Sequence, residues 1–254
     1  IAIAIRNVRL YEVEKKLNAD KDKFFSIISH DLRSPFTALL GNAQLLVGGI
    51  EQLSRQDIQE MTQSIHRGAK VVYNLLDGLL TWSQLQREGG MQCEPEPIKL
   101  KDLAKETLAV FEQTAAQKEV KLNNSIAAGC RVQADRPMLE TVLRNLTANA
   151  LKFTPRGGQV TLKASGKDVD SPGMVQVSVQ DTGVGMSEAD RAKLFRIDAQ
   201  HTTLGTENER GSGLGLTICK EMVERNGGQI RVESEPGQGT TVEFTVPLAT
   251  QPSA

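Results

Sequence analysis

Only three cysteines occur in the 254 residues, Cys93, Cys130 and Cys219. They are far apart and odd in number, with no Cys-x-x-Cys pair, so neither a disulfide framework nor a structural zinc site is indicated, and a reducing compartment fits. Long apolar runs are missing as well. Nothing approaches the roughly 18 to 20 residues that span a bilayer, and no signal-peptide pattern is present. Charge of one sign is not in excess either: 30 Lys and Arg stand against 31 Asp and Glu, a formal charge of -1. That balance argues against a general polyanion-binding surface, and nucleic acid is not an expected partner. The chain opens on Ile1 rather than Met. We therefore expect a cytoplasmic fragment of a longer protein, with room upstream for a membrane anchor.

What is there is enough apolar residue, 39%, to build one large or two ordinary cores. Glycine is absent before Gly41, and Leu10, Leu17 and Phe24 recur seven residues apart, with Val13, Ile28 and Leu32 on or near the same stripe. This spacing predicts a long first helix from Ile1 to about Val47 with a seam for a partner helix, as in a coiled coil. Gly48-Gly49 and Ser54 end it. A second helical pattern runs from about Gln56 to Arg87 through Ile58, Met61, Ile65, Val72, Leu76, Leu79 and Trp82. Two amphipathic helices joined by a short turn make an antiparallel hairpin that cannot bury both apolar faces alone. A dimeric four-helix bundle resolves this, and packing of the hairpin onto the rest of its own chain is the alternative.

From Glu88-Gly89-Gly90 through Glu94-Pro95-Glu96-Pro97 the sequence reads as a linker and domain boundary. Beyond it the texture is mixed. Helices are predicted near 101–117, 137–152 and 213–226, and strands near 120–126, 159–165, 174–180, 229–234 and 240–246. Alternation such as Val175-Gln176-Val177-Ser178-Val179 implies a sheet with one face covered by helices, an α/β sandwich. The overall class is α+β. The stretch from Ser187 to Gly211 has no strong period and reads as a mobile flap.

The chemistry-bearing residues fall in five places. In Ser29-His30-Asp31-Leu32-Arg33-Ser34-Pro35 an imidazole nitrogen can attack phosphorus while the adjacent carboxylate holds the proton of the other ring nitrogen. Pro35 removes the amide that would bond the Asp31 carbonyl, so the helix should bend there. A polar histidine on a solvated helix face is the competing reading. Asn145, Asn149 and Lys152 project from one helix face, where amide oxygens could face magnesium and an ammonium could face phosphates; asparagines often cap or bury instead. Asp181-Thr182-Gly183-Val184-Gly185 follows a strand, so the aspartate could accept from an exocyclic amine or merely cap a turn. Gly211-Ser212-Gly213-Leu214-Gly215-Leu216 leads into a helix whose first amides could face an anion. It is neither a dinucleotide fingerprint nor a P-loop. Gly237-Gln238-Gly239-Thr240 opens a strand and by itself reads as a hairpin turn.

The His30 heptapeptide resembles the phosphoacceptor box of bacterial two-component sensor histidine kinases. The four downstream segments, in this order, resemble the N, G1, G2 and G3 boxes of the Bergerat-type ATP-binding fold that those kinases share with DNA gyrase, the large heat-shock chaperones and mismatch-repair ATPases. Leu194-Phe195 stands where the kinases carry an F box, although Arg196-Ile197-Asp198 departs from its commoner continuation. The resemblance spans about Lys21 to Leu248. It implies ATP-dependent autophosphorylation of His30, with Asp31 as proton-side partner, then transfer to an aspartate of a response-regulator receiver domain. It further implies ATP and Mg2+ as ligands, with Asn149 carrying the metal and Asn145 and Lys152 near the phosphates. Asp181 would bind the adenine amine with Thr240 assisting through water, Phe153 would line the base pocket, and Gly183, Gly185, Gly213, Leu214, Gly215 and Leu216 would shape the pocket and flap.

Many such kinases also hydrolyse the receiver's phosphoaspartate with a carboxylate-x-x-Thr/Asn pattern; Ser34 fills that fourth place here, which leaves strong phosphatase activity in question. The domain plan expected is a coiled-coil signalling helix over 1–20, a dimerisation and phosphotransfer domain over 21–88, a linker over 89–96 and an ATP-binding domain over 97–250. The opening residues resemble the exit helix of a GAF-type sensor domain. A non-catalytic module in which ATP gates docking is the alternative function. A gyrase-like clamp would have no use for the His-Asp box.

Overall fold

Ser54 opens the second of two antiparallel helices with a reciprocal cap. Its hydroxyl accepts from the Asp57 amide at 3.1 Å, and the Asp57 carboxylate accepts from the Ser54 amide at 3.0 Å and hydroxyl at 2.6 Å. The structure is a computed structural model that describes residues 29, 32–86, 92–165, 173–195, 204–207, 209 and 213–249. Helix α1 covers 32–49, ending within two residues of the expected Val47, and α2 covers Arg55–Gln86, within one residue of its expected bounds at either end. The pairing is fixed near the middle of the hairpin. Asn42 donates to the Ser64 hydroxyl at 3.0 Å, and Gly68 admits Leu39 so closely that a Cβ there would lie 3.0 Å from its Cγ. The expected helix over 1–28 and the bend that depends on the Asp31 carbonyl lie outside the described residues.

Contacts divide the chain into two bodies, one ending at Leu80 and the other starting at Thr81. The last turns of α2 therefore belong with the second body. There Trp82 and Leu85 are buried, and the Arg225 guanidinium donates to the Leu85 carbonyl.

In the second body the short strands β1 (Glu96–Lys99) and β3 (Arg131–Ala134) pair antiparallel. A separate five-stranded sheet is built from β2 (Lys121–Asn124), β4 (Gln159–Ser165), β5 (Met174–Asp181), β6 (Ile230–Glu235) and β7 (Gly239–Pro247). Its strand order is β2-β4-β5-β7-β6. Helices α3 (Leu100–Gln117), α4 (Arg136–Phe153) and α6 (Gly215–Arg225) pack against it. Only β2 and β4 pair parallel, which requires a long crossover; it is supplied by β3 and α4. Val177, Val179, Leu162, Leu143, Leu146 and Phe244 are among the residues sealed between the layers. Each such side chain contributes about 1.5–3 kcal/mol by leaving water.

Three elements depart from the sequence reading. Glu96 and Pro97, read as linker, open β1. Proline is tolerated there because a two-stranded ribbon has outer edges that require no donor, and Ile98 alone anchors the strand in the core. Strand β3 has too short an alternation to stand out. The segment after Ser187, read as flap, begins with a helical turn, α5 (Glu188–Arg191), capped where the Ser187 hydroxyl accepts from the Asp190 amide at 3.2 Å. Among the described residues, no helix is long and apolar enough to cross a membrane.

Candidate nucleotide-binding site

Residue period places Asp181 on the same face of β5 as Val175, Val177 and Val179, and all four are buried. A carboxylate at the end of an apolar row needs donors. One oxygen, Oδ1, accepts from the Gly183 amide at 2.8 Å and the Thr240 amide at 3.1 Å. Thr240 is its cross-strand neighbour on β7, and Val160 on β4 is the other. Burial nevertheless pushes the Asp181 carboxyl up to about 6, against the opposing pull of those two amides. The Thr240 hydroxyl lies 2.9 Å from that of Ser234, which also accepts from the Met186 amide at 3.0 Å. Gly237-Gln238-Gly239 is the β6–β7 turn, as read in isolation, and it also delivers Thr240 to the carboxylate.

Glycine is required where main chains close on this spot. Gly239 has φ +85 and a Cβ there would strike the Asp181 carbonyl; Gly185 has φ +64 and a Cβ there would strike the Glu235 carbonyl. At Gly183 a Cβ would come within 2.5 Å of the Phe153 carbonyl and 2.6 Å of Asp181 Oδ1. The floor beneath Asp181 is thus bare backbone from the 182–186 turn, the β6–β7 turn and the end of α4.

Helix α4 supplies the remaining candidates. Asp135 caps it, Oδ1 accepting from the Met138 amide at 2.9 Å, with proline at 137 in the first turn. Asn145 donates to the Thr141 carbonyl at 3.0 Å, which turns its oxygen toward Gly215 at the start of α6; a Cβ on Gly215 would lie 3.0 Å from that oxygen. Asn149 is half-buried one turn further on and makes no side-chain hydrogen bond to another described residue. Lys152 and Phe153 are half-buried, the ammonium 4.6 Å from the ring centre. Desolvation lowers the Lys152 pKa from the usual lysine value, with Glu209 opposing and Lys118 adding to the shift. At α6, Leu214 is buried, Gly213 has φ +70, Leu216 is half-buried, and the side chain at the N-cap position, Leu214, offers no acceptor to the first turn.

The four carbonyls of the last turn of α4 are all met. Ala150 accepts from the Thr154 amide, Leu151 from Lys118 Nζ at 2.8 Å, Lys152 from Lys118 Nζ and the Thr206 amide, both at 3.0 Å, and Phe153 from the Val184 amide at 3.1 Å. The structure therefore brings Asn145, Asn149, Lys152, Phe153, Asp181, Gly183, Gly185, Gly213, Leu214, Gly215, Leu216 and Thr240 into one body, with α4 meeting Gly183 at Phe153 and Gly215 at Asn145. His30 and Asp31 lie outside the described residues, as do Gly211, Ser212 and His201. Ser34 is exposed on α1, and His66 is exposed on α2. Lys118, Glu209, Thr206 and Ser234 support the site and were not singled out from sequence.

Amide and hydroxyl oxygens on α4 and at β7 suit a hard cation and polar ligand edges, and the N-terminal start of α6 beside Asn145 suits an anion. Comparison with known proteins supports a nucleotide as the ligand. Residues 134–250 match the family "Histidine kinase-, DNA gyrase B-, and HSP90-like ATPase", and residues 20–88 match "His Kinase A (phospho-acceptor) domain". The second body is an ATP-binding domain, and with its two matches in this order the chain belongs to the sensor histidine kinases, as a catalytic core. It is 31% identical over 94% of its length to the non-motile and phage-resistance protein of Caulobacter vibrioides, and spans 29% of that relative. Among solved structures it resembles full-length ShkA in complex with AMPPNP, with 27% identity, TM-score 0.62, and coverage of 91% of this chain and 47% of that one. The histidine kinase ThkA in complex with the response regulator TrrA shares the fold, with TM-score 0.72, 22% identity, and coverage of 94% and 66%.

Proposed function

We propose that this chain transfers the γ-phosphoryl group of ATP to His30 and passes it on to an aspartate of a response-regulator receiver domain. The observation that carries the reading is the buried Asp181 carboxylate, held by the Gly183 and Thr240 amides, in a chain that also matches a phospho-acceptor domain across His30. One free lone-pair direction on such a carboxylate suits the exocyclic amine of adenine. Phe153 would lie along the base, Asn145 and Lys152 would face the phosphates, and Gly183, Gly185, Gly213, Leu214, Gly215 and Leu216 would give the backbone close approach. Asn149 would hold Mg2+, whose charge neutralises phosphate oxygens. Phosphoryl transfer asks mainly for alignment and charge neutralisation. An imidazole nitrogen of His30 forms the new P–N bond as the bond to the leaving ADP oxygen breaks. Asp31 stabilises the imidazolium and receives its other N–H.

The hairpin body would form a homodimeric four-helix bundle, and the domain plan would be 1–20 signalling helix, 21–88 phosphotransfer domain, a linker from 89 to the start of β1 at Glu96 and an ATP-binding domain from there to 250, working in the cytoplasm below an upstream sensor domain of GAF type. The complex that ThkA forms with the response regulator TrrA supports a receiver as partner. With γ-labelled ATP the chain should acquire acid-labile label, and His30→Gln should abolish it while ATP still binds. Retained label in that variant would end the assignment, and ATP binding without any transfer would favour a gated docking module.

A further inference from the structure

Lys118 is 3% exposed, yet its sequence neighbours are the polar Gln117 and Glu119. A buried ammonium must be met on every side. Here the Leu151 and Lys152 carbonyls accept from it at 2.8 and 3.0 Å, and Glu209 Oε1 at 2.8 Å. Its place at the C-terminal end of α4 also complements the helix dipole. Glu209 in turn organises the loop before it. Its Oε2 accepts from the Glu207 amide at 2.7 Å, and its own carbonyl accepts from the Gly205 amide at 2.9 Å. Thr206 returns to α4, its amide and hydroxyl donating to the Lys152 carbonyl at 3.0 and 3.2 Å. Gly205 rests on the Lys152 stem so tightly that a Cβ would lie 2.6 Å from Cγ.

We propose that Lys118 and Glu209 are positioning residues for nucleotide: together they clamp the 205–207 backbone and the end of α4 around Lys152, and so fix where its ammonium can reach. Neither residue need touch the nucleotide. The charge balance is consistent with this, since burial alone would raise the Glu209 pKa, yet the hydrogen bond and charge of Lys118 and the Glu207 amide leave it below the usual value. The proposal rests on the reading above that Lys152 faces the phosphates.

The test compares ATP and adenosine, which share the base but not the phosphates, on the whole chain, by competition against a fluorescent ATP analogue. Glu209→Gln keeps the side-chain volume at a residue with 37% of its side chain exposed, and should raise the Kd for ATP about tenfold with adenosine unchanged. Lys118→Met should do the same, and the two changes together should cost no more than either alone, because they break one clamp. Hydrogen exchange of the Gly205 and Thr206 amides should quicken in Glu209→Gln without nucleotide. Unchanged ATP binding, equal losses for ATP and adenosine, or unchanged exchange at 205 and 206 would each overturn the proposal. If exchange quickened while the parent chain bound no ATP, the clamp would stand as structure but its positioning role would fall with the site assignment.

Discussion

The two bodies solve the burial problem in opposite ways. Of the twelve large hydrophobic residues left exposed among the described residues, eight lie between Phe36 and Leu80 in the helical hairpin: Phe36, Leu40, Leu45, Val47, Ile50, Tyr73, Leu76 and Leu80. Among its described residues the α/β body leaves Val110, Val184, Leu204 and Leu248 in that state, and its core contains many fully buried side chains. A hairpin has one interface to offer, whereas three helices against a twisted sheet enclose a volume. The hairpin therefore depends on association for its stability and the α/β body does not. On the function proposed above, an upstream signal would act on the dependent body, and ligand binding would fall to the self-sufficient one.

Lysine on both Leu40 and Leu76 is the strongest way to break the comparison. By sedimentation the variant should be monomeric, while ATP binding stays at the parent level; a persistent dimer would show that the exposed stripe is not the contact. Gly239→Ala attacks the other body. At φ +85, and against the Asp181 carbonyl, the new methyl should destabilise it by roughly 2–4 kcal/mol, visible as a lowered α/β transition in calorimetry with hairpin association kept.

The smallest effect is one of pH. Asp181 has its carboxyl raised from 3.8 to about 6 in the folded chain. Between those values the folded state still holds a proton that the unfolded chain has released, so this group's contribution is complete below about 3.8, declines as pH rises through about 6 and is flat above. Two pKa units correspond to at most about 3 kcal/mol. Asp181→Asn should remove that decline from the denaturant stability of the α/β body and leave hairpin association untouched; an equal slope in both proteins would place the titration elsewhere.

Much of this was legible from residue spacing because period and chemistry coincide. The described part of the first hairpin helix, the second hairpin helix, α3, α4, α6 and the five sheet strands follow from apolar repeats, and Asp181 could be found because an aspartate directly follows an alternating strand and leads into a glycine turn. What was hidden has physical reasons. Strand β1 carries a proline that signals turn more strongly than its single buried Ile98 signals strand. Lys118 sits at a helix end where a lysine ordinarily faces water, and its burial arises only from carbonyls and a carboxylate contributed by residues 33 to 91 positions away. Ser234 is one polar residue in an alternating strand, and nothing local marks it as the support for Thr240.

The glycine floor under Asp181 has a consequence for small-molecule inhibition. Peptide groups of Gly183, Gly185 and Gly239 cannot be withdrawn by exchanging a side chain, and adding one collides with a neighbouring main chain. A compound that draws its affinity from that floor leaves escape mutations only the rim to work with, and the rim includes groups the enzyme itself would need.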